Sequence, residues 1–278
     1  MQLVTYDSDR GPRAGVLRDG SVYDAWELLG GGGGSLRDLL AAGRLEELAE
    51  ADLGSAQPLA SVPLLPPVPD PEKIIGIGLN YAEHAKEGRM EPPSSPTFFA
   101  KFRNALVPDG AAVALPEASK KVDYEGEIAF IVGRRAKNVS EAEALDYIAG
   151  YTLFNDLSAR DLQFATPQWM PGKVFDGSAP CGPAMVTVDE AGPHDALGIA
   201  LDLNGERMQE STTADLIFSI PELVSHLSTL MTLEPGDVVA TGTPAGVGGA
   251  RQPRVWLKSG DEVVVSSPQL GRLTTRIA

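Results

Sequence analysis

The chain has 278 residues, enough for one large domain or two unequal ones, and with 43% hydrophobic and 22% charged residues it has the make-up of an ordinary globular protein. Its formal charge of −15 and pI near 4.6 exclude nucleic acid, anionic membrane and other polyanions as partners, because those need a clustered basic surface. The one cysteine, Cys181, can form no intrachain disulfide, "MQLVTYDSDRGPRAG" holds no apolar signal core, and no run approaches the ~18 apolar residues of a membrane span, so a cytoplasmic protein is expected.

In chain order, "LVTYD", "RAGVLRDG" and "SVYDAWELL" read as short strands, with a turn at Asp19 and Gly20. Gly30 to Gly34 form a loop, and Leu36, Leu39, Leu40, Leu45 and Leu48 follow at helical spacing. A glycine run can cradle phosphate, but no lysine or strand-loop-helix signature accompanies this one, so a floppy surface loop is expected. The proline-rich "LASVPLLPPVPDPEK" suits a stiff connector, which divides the chain into a small α+β unit, residues 1–70, and a larger one, residues 71–278. From Lys73 onward about nine strand signals dominate, among them "KIIGIG", "TFFAKF", "VDYEGEIAFIVG", "IAGYTLFN", "GDVVATG" and "DEVVVSS", and Asn204-Gly205 marks a hairpin. Ser140 with Glu143 and Ser219 with Glu222 are capping boxes, opening helices over "EAEALDYI" and "IPELVSHLSTLM". The fold class is α+β, mostly β.

One strand carries a chemical puzzle. In "VDYEGEIAFIVG" alternation puts Asp123, Glu125 and Glu127 on one face and Val122, Tyr124, Ile128, Phe130 and Val132 on the other. Neighbouring like charges on a sheet cost roughly 0.2–1 kcal/mol per exposed pair, and more without water. A hard divalent cation is the simplest compensation, and Mg²⁺ prefers carboxylate oxygens. Asp156, where "LFNDLSARD" ends an apolar strand, supplies a third ligand if a strand-helix-strand crossover through "EAEALDYI" brings it alongside.

Here the sequence resembles the fumarylacetoacetate hydrolase family. The motifs "GLNYAEHAKE", "DYEGEIAFIVG", "LFNDLSARDLQ", "PGKVFDGSAPCGP", "STTADLIFSIPELVSHLSTLMTLEPGDVVATGTPAGVG" and "LKSGDEVVV" occur in family order over residues 70 to 278. The resemblance implies a mixed β-sandwich roll, a homodimer, and one divalent metal, Mg²⁺ or Mn²⁺, on Glu125, Glu127 and Asp156. It implies a dyad of His84 and Glu87, whose spacing of three allows both on one face of a short helix, with the glutamate orienting the imidazole as a base. Lys173 corresponds to a lysine that touches substrate oxygens, and Gln163 and Thr243 to substrate-binding positions. Arg160 and Asp161 brace the site, while His194 is a loop residue, His226 a structural one, and Cys181 has no role. The chain departs from the family in "FFAKFRNALVPDG", where Phe102, Arg103 and Asn104 follow Lys101; this bears on substrate choice, and Lys101 still faces the site.

The implied substrates are small molecules with a 2-oxo acid or 1,3-dicarbonyl unit, and the expected activity is hydrolysis of a C–C bond in acylpyruvates or 2,4-diketo acids. Isomerisation of 2-hydroxy-dienedioates and decarboxylation of oxaloacetate-type acids are the alternatives on the same scaffold. A metal-stabilised binding protein without catalysis is a third reading. The polar, proline-containing "AKEGRMEPPSSP" after His84 has the composition of a lid.

Overall fold

Turn chemistry and alternation decide most of the strands. Asn204 and Gly205 adopt positive φ (52° and 82°), as the two-residue turn between strands Gly198–Leu203 and Glu206–Thr212 requires. The computed structural model describes residues 1–55, 58–59 and 61–278; Ala60, within the expected connector, lies outside them.

An eleven-stranded mixed sheet forms the backbone of the fold. Its main path runs Ser21–Asp24, Gly11–Arg18, Gln2–Ser8, Ala179–Thr187, Ile148–Asn155, Gly126–Val132, Val238–Ala240, Ile74–Gly78 and Thr97–Lys101. Neighbours on this path are antiparallel except Val238–Ala240 with Ile74–Gly78. A second sheet orders Glu206–Thr212, Gly198–Leu203, Glu262–Ser267, Gly271–Ile277 and Ala112–Val113. Ile128, Phe130 and Leu153 of the first sheet share one core with Leu201, Val263 and Leu273 of the second, which makes the sandwich. Helix Ile220–Leu230, capped reciprocally by Ser219 and Glu222, drives Leu223, Val224 and Leu227 into the same core. Each such side chain contributes about 1.5–3 kcal/mol by leaving water. The fold is thus mostly β with a few short helices.

The first seventy residues share this architecture. Gln2–Ser8 pairs with Ala179–Thr187, and Leu3, Trp26, Leu36 and Leu39 pack in one cluster with Ile131, Phe154 and Met185.

Three local expectations change. "SVYDAWELL" is a strand only to Asp24, whose carboxylate then accepts from the N–H groups of Trp26 and Glu27 and opens a helical turn, Ala25–Leu28. Gly43, at φ 66°, divides the leucine-spaced stretch into helices Leu36–Ala41 and Leu45–Ala49. "EAEALDYI" is a 3₁₀ segment, Glu141–Tyr147, and it joins antiparallel strands, so no crossover is made. An antiparallel pair needs no long return path, and the short segment suffices. The glycine loop is tied at Gly34, whose carbonyl accepts from Trp26 Nε1 and Ala14 N–H, both at 2.8 Å.

Candidate active site

The carboxylates are assembled by strand register. Gly126 faces Asn155 and Glu127 faces Phe154, and the same register continues one step to a hydrogen bond of 2.8 Å from Asp156 N–H to the Glu125 carbonyl. Asp156 is therefore the cross-strand neighbour of Glu125. The expected single strand breaks at Tyr124 and Glu125, giving Val122–Asp123 and Gly126–Val132. Oxygens of Glu125, Glu127 and Asp156 lie within 4.8 Å of one another, all buried.

A divalent cation, the simplest compensation for these charges, is not the sole one, because cationic side chains also surround them. Lys173 Nζ bridges Glu125 and Asp156 at 2.7 Å each, Lys101 Nζ meets Asp156 at 2.6 Å, and Arg160 meets Glu125 at 2.6 Å. Burial works against ionisation of Glu125, yet Arg160 and Lys173 hold its carboxyl well below the usual range. Burial likewise opposes the charge on Lys173, but Asp156 and Glu125 raise its pKa. On Lys101 burial prevails and lowers it.

Glu127 is the exception. Its only partner among the described residues is the Gly242 N–H, at 2.8 Å, and no cation meets it. Burial first, then the charges of Asp156 and Glu125, push its carboxyl well above the ordinary value. Counted as ionised, four buried carboxylates, Asp123, Glu125, Glu127 and Asp156, stand against three cations, Lys101, Lys173 and Arg160, one negative charge too many, which a proton on Glu127 or a bound cation would offset. Hard oxygen donors at close range and an uncompensated carboxylate fit a divalent cation.

Beside this cluster stands an imidazole with a built relay. Helix Ala82–Glu87 places His84 and Glu87 on one face, with His84 Nδ1 at 2.8 Å from Glu87 Oε1. The other carboxylate oxygen, Oε2, accepts the Gly246 N–H at 2.9 Å. Glu87 is thereby fixed as an acceptor, so Nδ1 is the ring nitrogen that donates and Nε2 is the one left to act on a ligand. Gly246 sits at φ 109°, and a Cβ there would lie 2.1 Å from the Met208 carbonyl oxygen, so only glycine brings this N–H to Glu87.

All eight predicted site residues except Asp156 line a single cavity of about 760 Å³, and Asp156 reaches it through Lys173. Gln163 Oε1 accepts from Arg160, and among the described residues its Nε2 makes no hydrogen bond, which leaves it open to a ligand oxygen. Thr243 donates its hydroxyl proton to the Gly126 carbonyl and accepts from Gln209, so it can only accept from a ligand. Arg160 joins Asp123 to Glu125, while Asp161 accepts from Ser119 Oγ at 2.5 Å and, among the described residues, meets none of the site carboxylates' partners. Arg89 and Met90, from the segment after His84, are part of the cavity wall. Cys181 is buried on its strand, and burial pushes the thiol up to about 12, consistent with an inert residue.

Sequence reasoning passed over the role of Asp123, which offers no oxygen to the cluster. Its carboxylate instead accepts from the N–H groups of Gly248 and Gly249 at 2.8 and 2.9 Å and binds Arg160 Nε at 2.9 Å. It also passed over the aromatic wall of Phe99 and Trp169, whose rings meet edge-on with centroids 6.3 Å apart and with Lys173 Nζ over Phe99 at 4.9 Å. The inward lysine had a signal: Phe99 and Lys101 alternate onto the buried face of Thr97–Lys101.

Residues 73–278 match the family model described as fumarylacetoacetate (FAA) hydrolase C-terminal. The chain belongs to the fumarylacetoacetate hydrolase family, whose members are enzymes. Among relatives, it is 41% identical over 236 residues to a mitochondrial oxaloacetate tautomerase of Xenopus laevis, covering 83% of this chain and 74% of that one. Among solved structures, it resembles a fumarylacetoacetate hydrolase from Exiguobacterium antarcticum, at TM-score 0.88 and 34% identity, over 100% of this chain and 99% of that one. It also resembles 5-carboxymethyl-2-hydroxymuconate delta-isomerase from Mycobacterium smegmatis, at TM-score 0.80 and 32% identity, again over 100% and 99%. No described helix is long and apolar enough to cross a membrane.

Proposed function

We propose that the protein is a divalent-metal-dependent hydrolase that cleaves a C–C bond in acylpyruvate or 2,4-diketo acid substrates, with Mg²⁺ or Mn²⁺ held by Glu125, Glu127 and Asp156. The observation that carries this reading is the relay Gly246–Glu87–His84 opening onto the same cavity as the carboxylate cluster and Lys173. When bound, the dication supplies Lewis-acid stabilisation to the developing enolate. His84 Nε2 takes a proton from water, and the oxygen adds to the distal carbonyl. Collapse of the tetrahedral adduct breaks the bond to the central carbon, and the electron pair becomes a pyruvate enolate beside the Lys173 ammonium. The imidazolium returns its proton to that carbon, and the acyl half leaves as a carboxylate after ionising. Glu87 keeps the imidazole oriented through both transfers. Gln163 Nε2 orients a substrate oxygen, and Thr243 shapes the wall. We place this activity in the cytoplasm and in a homodimer, as the family resemblance suggests.

A second reading is keto–enol tautomerisation of an oxaloacetate-type acid, favoured by the 41% identity to the Xenopus laevis tautomerase. It uses the same base on carbon instead of on water. One experiment separates the two: protein with Mg²⁺ is given acylpyruvates, oxaloacetate and 2-hydroxy-dienedioates while enol absorbance and released pyruvate are followed together. Pyruvate in step with enol loss from acylpyruvates supports hydrolysis. Enol loss without a new carboxylate supports tautomerisation, and no change across the panel refutes both.

A further inference from the structure

We propose that Arg251 and Arg254 are specificity-determining residues that receive a second anionic group, a carboxylate, at the far end of the substrate. This deepens the functional reading above and rests on it, because the near end of the substrate is taken to sit at the carboxylate cluster.

Charge distribution is the first observation. The chain has 23 Lys and Arg against 38 Asp and Glu, yet the cavity wall reverses this bias. Arg89, Lys121, Arg160, Lys173, Arg251 and Arg254 line it, against four carboxylates, Glu87, Glu125, Glu127 and Asp161. The inner cations are already engaged, Lys173 and Arg160 by the carboxylates described above. Arg251 is engaged differently: its Nε donates to the Gly246 carbonyl at 3.1 Å and its Nη2 to the Met208 carbonyl at 2.7 Å. Main-chain carbonyls and the nearby Tyr124 hydroxyl fix the guanidinium without neutralising it, and no carboxylate pairs with it among the described residues. Arg254 has no hydrogen bond or ion pair among the described residues.

The second observation is that the segment carrying both arginines is anchored. Asp123, fully buried, holds the N–H groups of Gly248 and Gly249, and the Val255 N–H returns to the Gly248 carbonyl at 3.0 Å. An anchored loop presenting a fixed fork pays little ordering entropy on binding an anion. Third, the wall includes the apolar surfaces of Phe99, Trp169, Val247 and Trp256, suited to a carbon chain, and the cavity is larger than a four-carbon acid fills.

The test uses two non-cleavable probes of equal length, 2-oxoadipate and 2-oxohexanoate, which share the 2-oxo acid end and differ in the far carboxylate. Their binding to the full-length protein is measured by calorimetry with and without Mg²⁺. Wild type is expected to bind 2-oxoadipate at least about tenfold more tightly, the effect of one charge-assisted contact. In Arg251→Gln/Arg254→Gln the ratio of the two affinities falls toward one. Because Arg251 also ties the loop, Arg254→Gln is measured alone, and it lowers the ratio by about threefold, the scale of an exposed ion pair. Metal-dependent binding of both probes with equal affinity, or a preference that survives in both variants, overturns this inference alone. Binding of neither probe, or binding indifferent to Mg²⁺, overturns the functional reading and this inference with it.

Discussion

Glu127→Gln separates the metal role of the cluster from its structural role. A dication present at a hundredfold excess over its Kd stabilises the folded chain by about 2.7 kcal/mol. With unfolding entropy near 2.1 cal/mol/K per residue, 278 residues give roughly 0.6 kcal/mol per degree, so wild type melts about 5 °C higher with metal than in chelator. The amide keeps the acceptor for the Gly242 N–H and removes the carboxylate that no cation meets. If affinity falls about a hundredfold, the stabilisation at the same metal concentration shrinks to about 0.4 kcal/mol and the shift to under roughly 1 °C. In chelator the variant melts higher than wild type, because the amide removes a buried carboxyl that the folded chain holds only as an unpaired charge or by taking up a proton. Scanning fluorimetry with and without Mg²⁺ reads both. A variant that keeps the full metal shift, or melts lower than wild type in chelator, refutes the assignment of Glu127.

Glu87→Gln is expected to reduce kcat by about 10²–10⁴ with KM little changed, since the amide cannot hold the imidazole in the required tautomer; a loss under about threefold removes Glu87 from the relay. At Asp24, burial opposes ionisation, but hydrogen bonds from Arg13, Tyr6 and the Glu27 N–H hold the pKa below its ordinary value. Its folded-state pKa is depressed, so it stabilises above the ordinary carboxylate range and that stabilisation is lost as pH falls through the folded value. Asp24→Asn should flatten the fall in Tm between pH 5 and about pH 2, and an unchanged acid limb contradicts this. A fragment of residues 71–278 uncovers Ile131, Phe154 and Met185 where Leu3, Leu36 and Leu39 pack, and should aggregate or bind hydrophobic dye; a soluble fragment with a cooperative melt would show that the first seventy residues are dispensable.

The parts of the site that were legible in the sequence are those fixed by local periodicity. Glu125 and Glu127 come from strand alternation, whereas His84 with Glu87 came from the family resemblance and a spacing of three only allowed it, and the structure brings all four to one cavity. Asp156 was reached through an incorrect path, because a crossover and an antiparallel return both bring its strand beside Gly126–Val132, and only the register distinguishes them. What sequence could not supply is pairing across long separations. Asp123 meets Gly248 and Gly249 more than a hundred residues away, Glu87 meets Gly246, and Lys101 meets Asp156, and no local pattern encodes such partners. The same limit hid what the three cations pair with. Alternation reveals a row of carboxylates, whereas their neutralisation by Lys101, Lys173 and Arg160 depends on how separate segments converge. The strands behave alike: Ile148–Asn155 and the Asn204-Gly205 hairpin follow from apolar runs and turn residues, while Glu141–Tyr147 tightened to 3₁₀ because a short link between antiparallel neighbours has no room for a packed helix.

The central claim is that one dication on Glu125, Glu127 and Asp156 enables the chemistry of the His84 relay. Chelator-treated protein should be titrated with Mg²⁺ while binding heat and pyruvate release from acetylpyruvate are recorded on the same samples. The account predicts one ion per chain and activity that rises in proportion to occupancy; turnover at full rate in chelator, or stoichiometric binding with no turnover of any acylpyruvate, would contradict it.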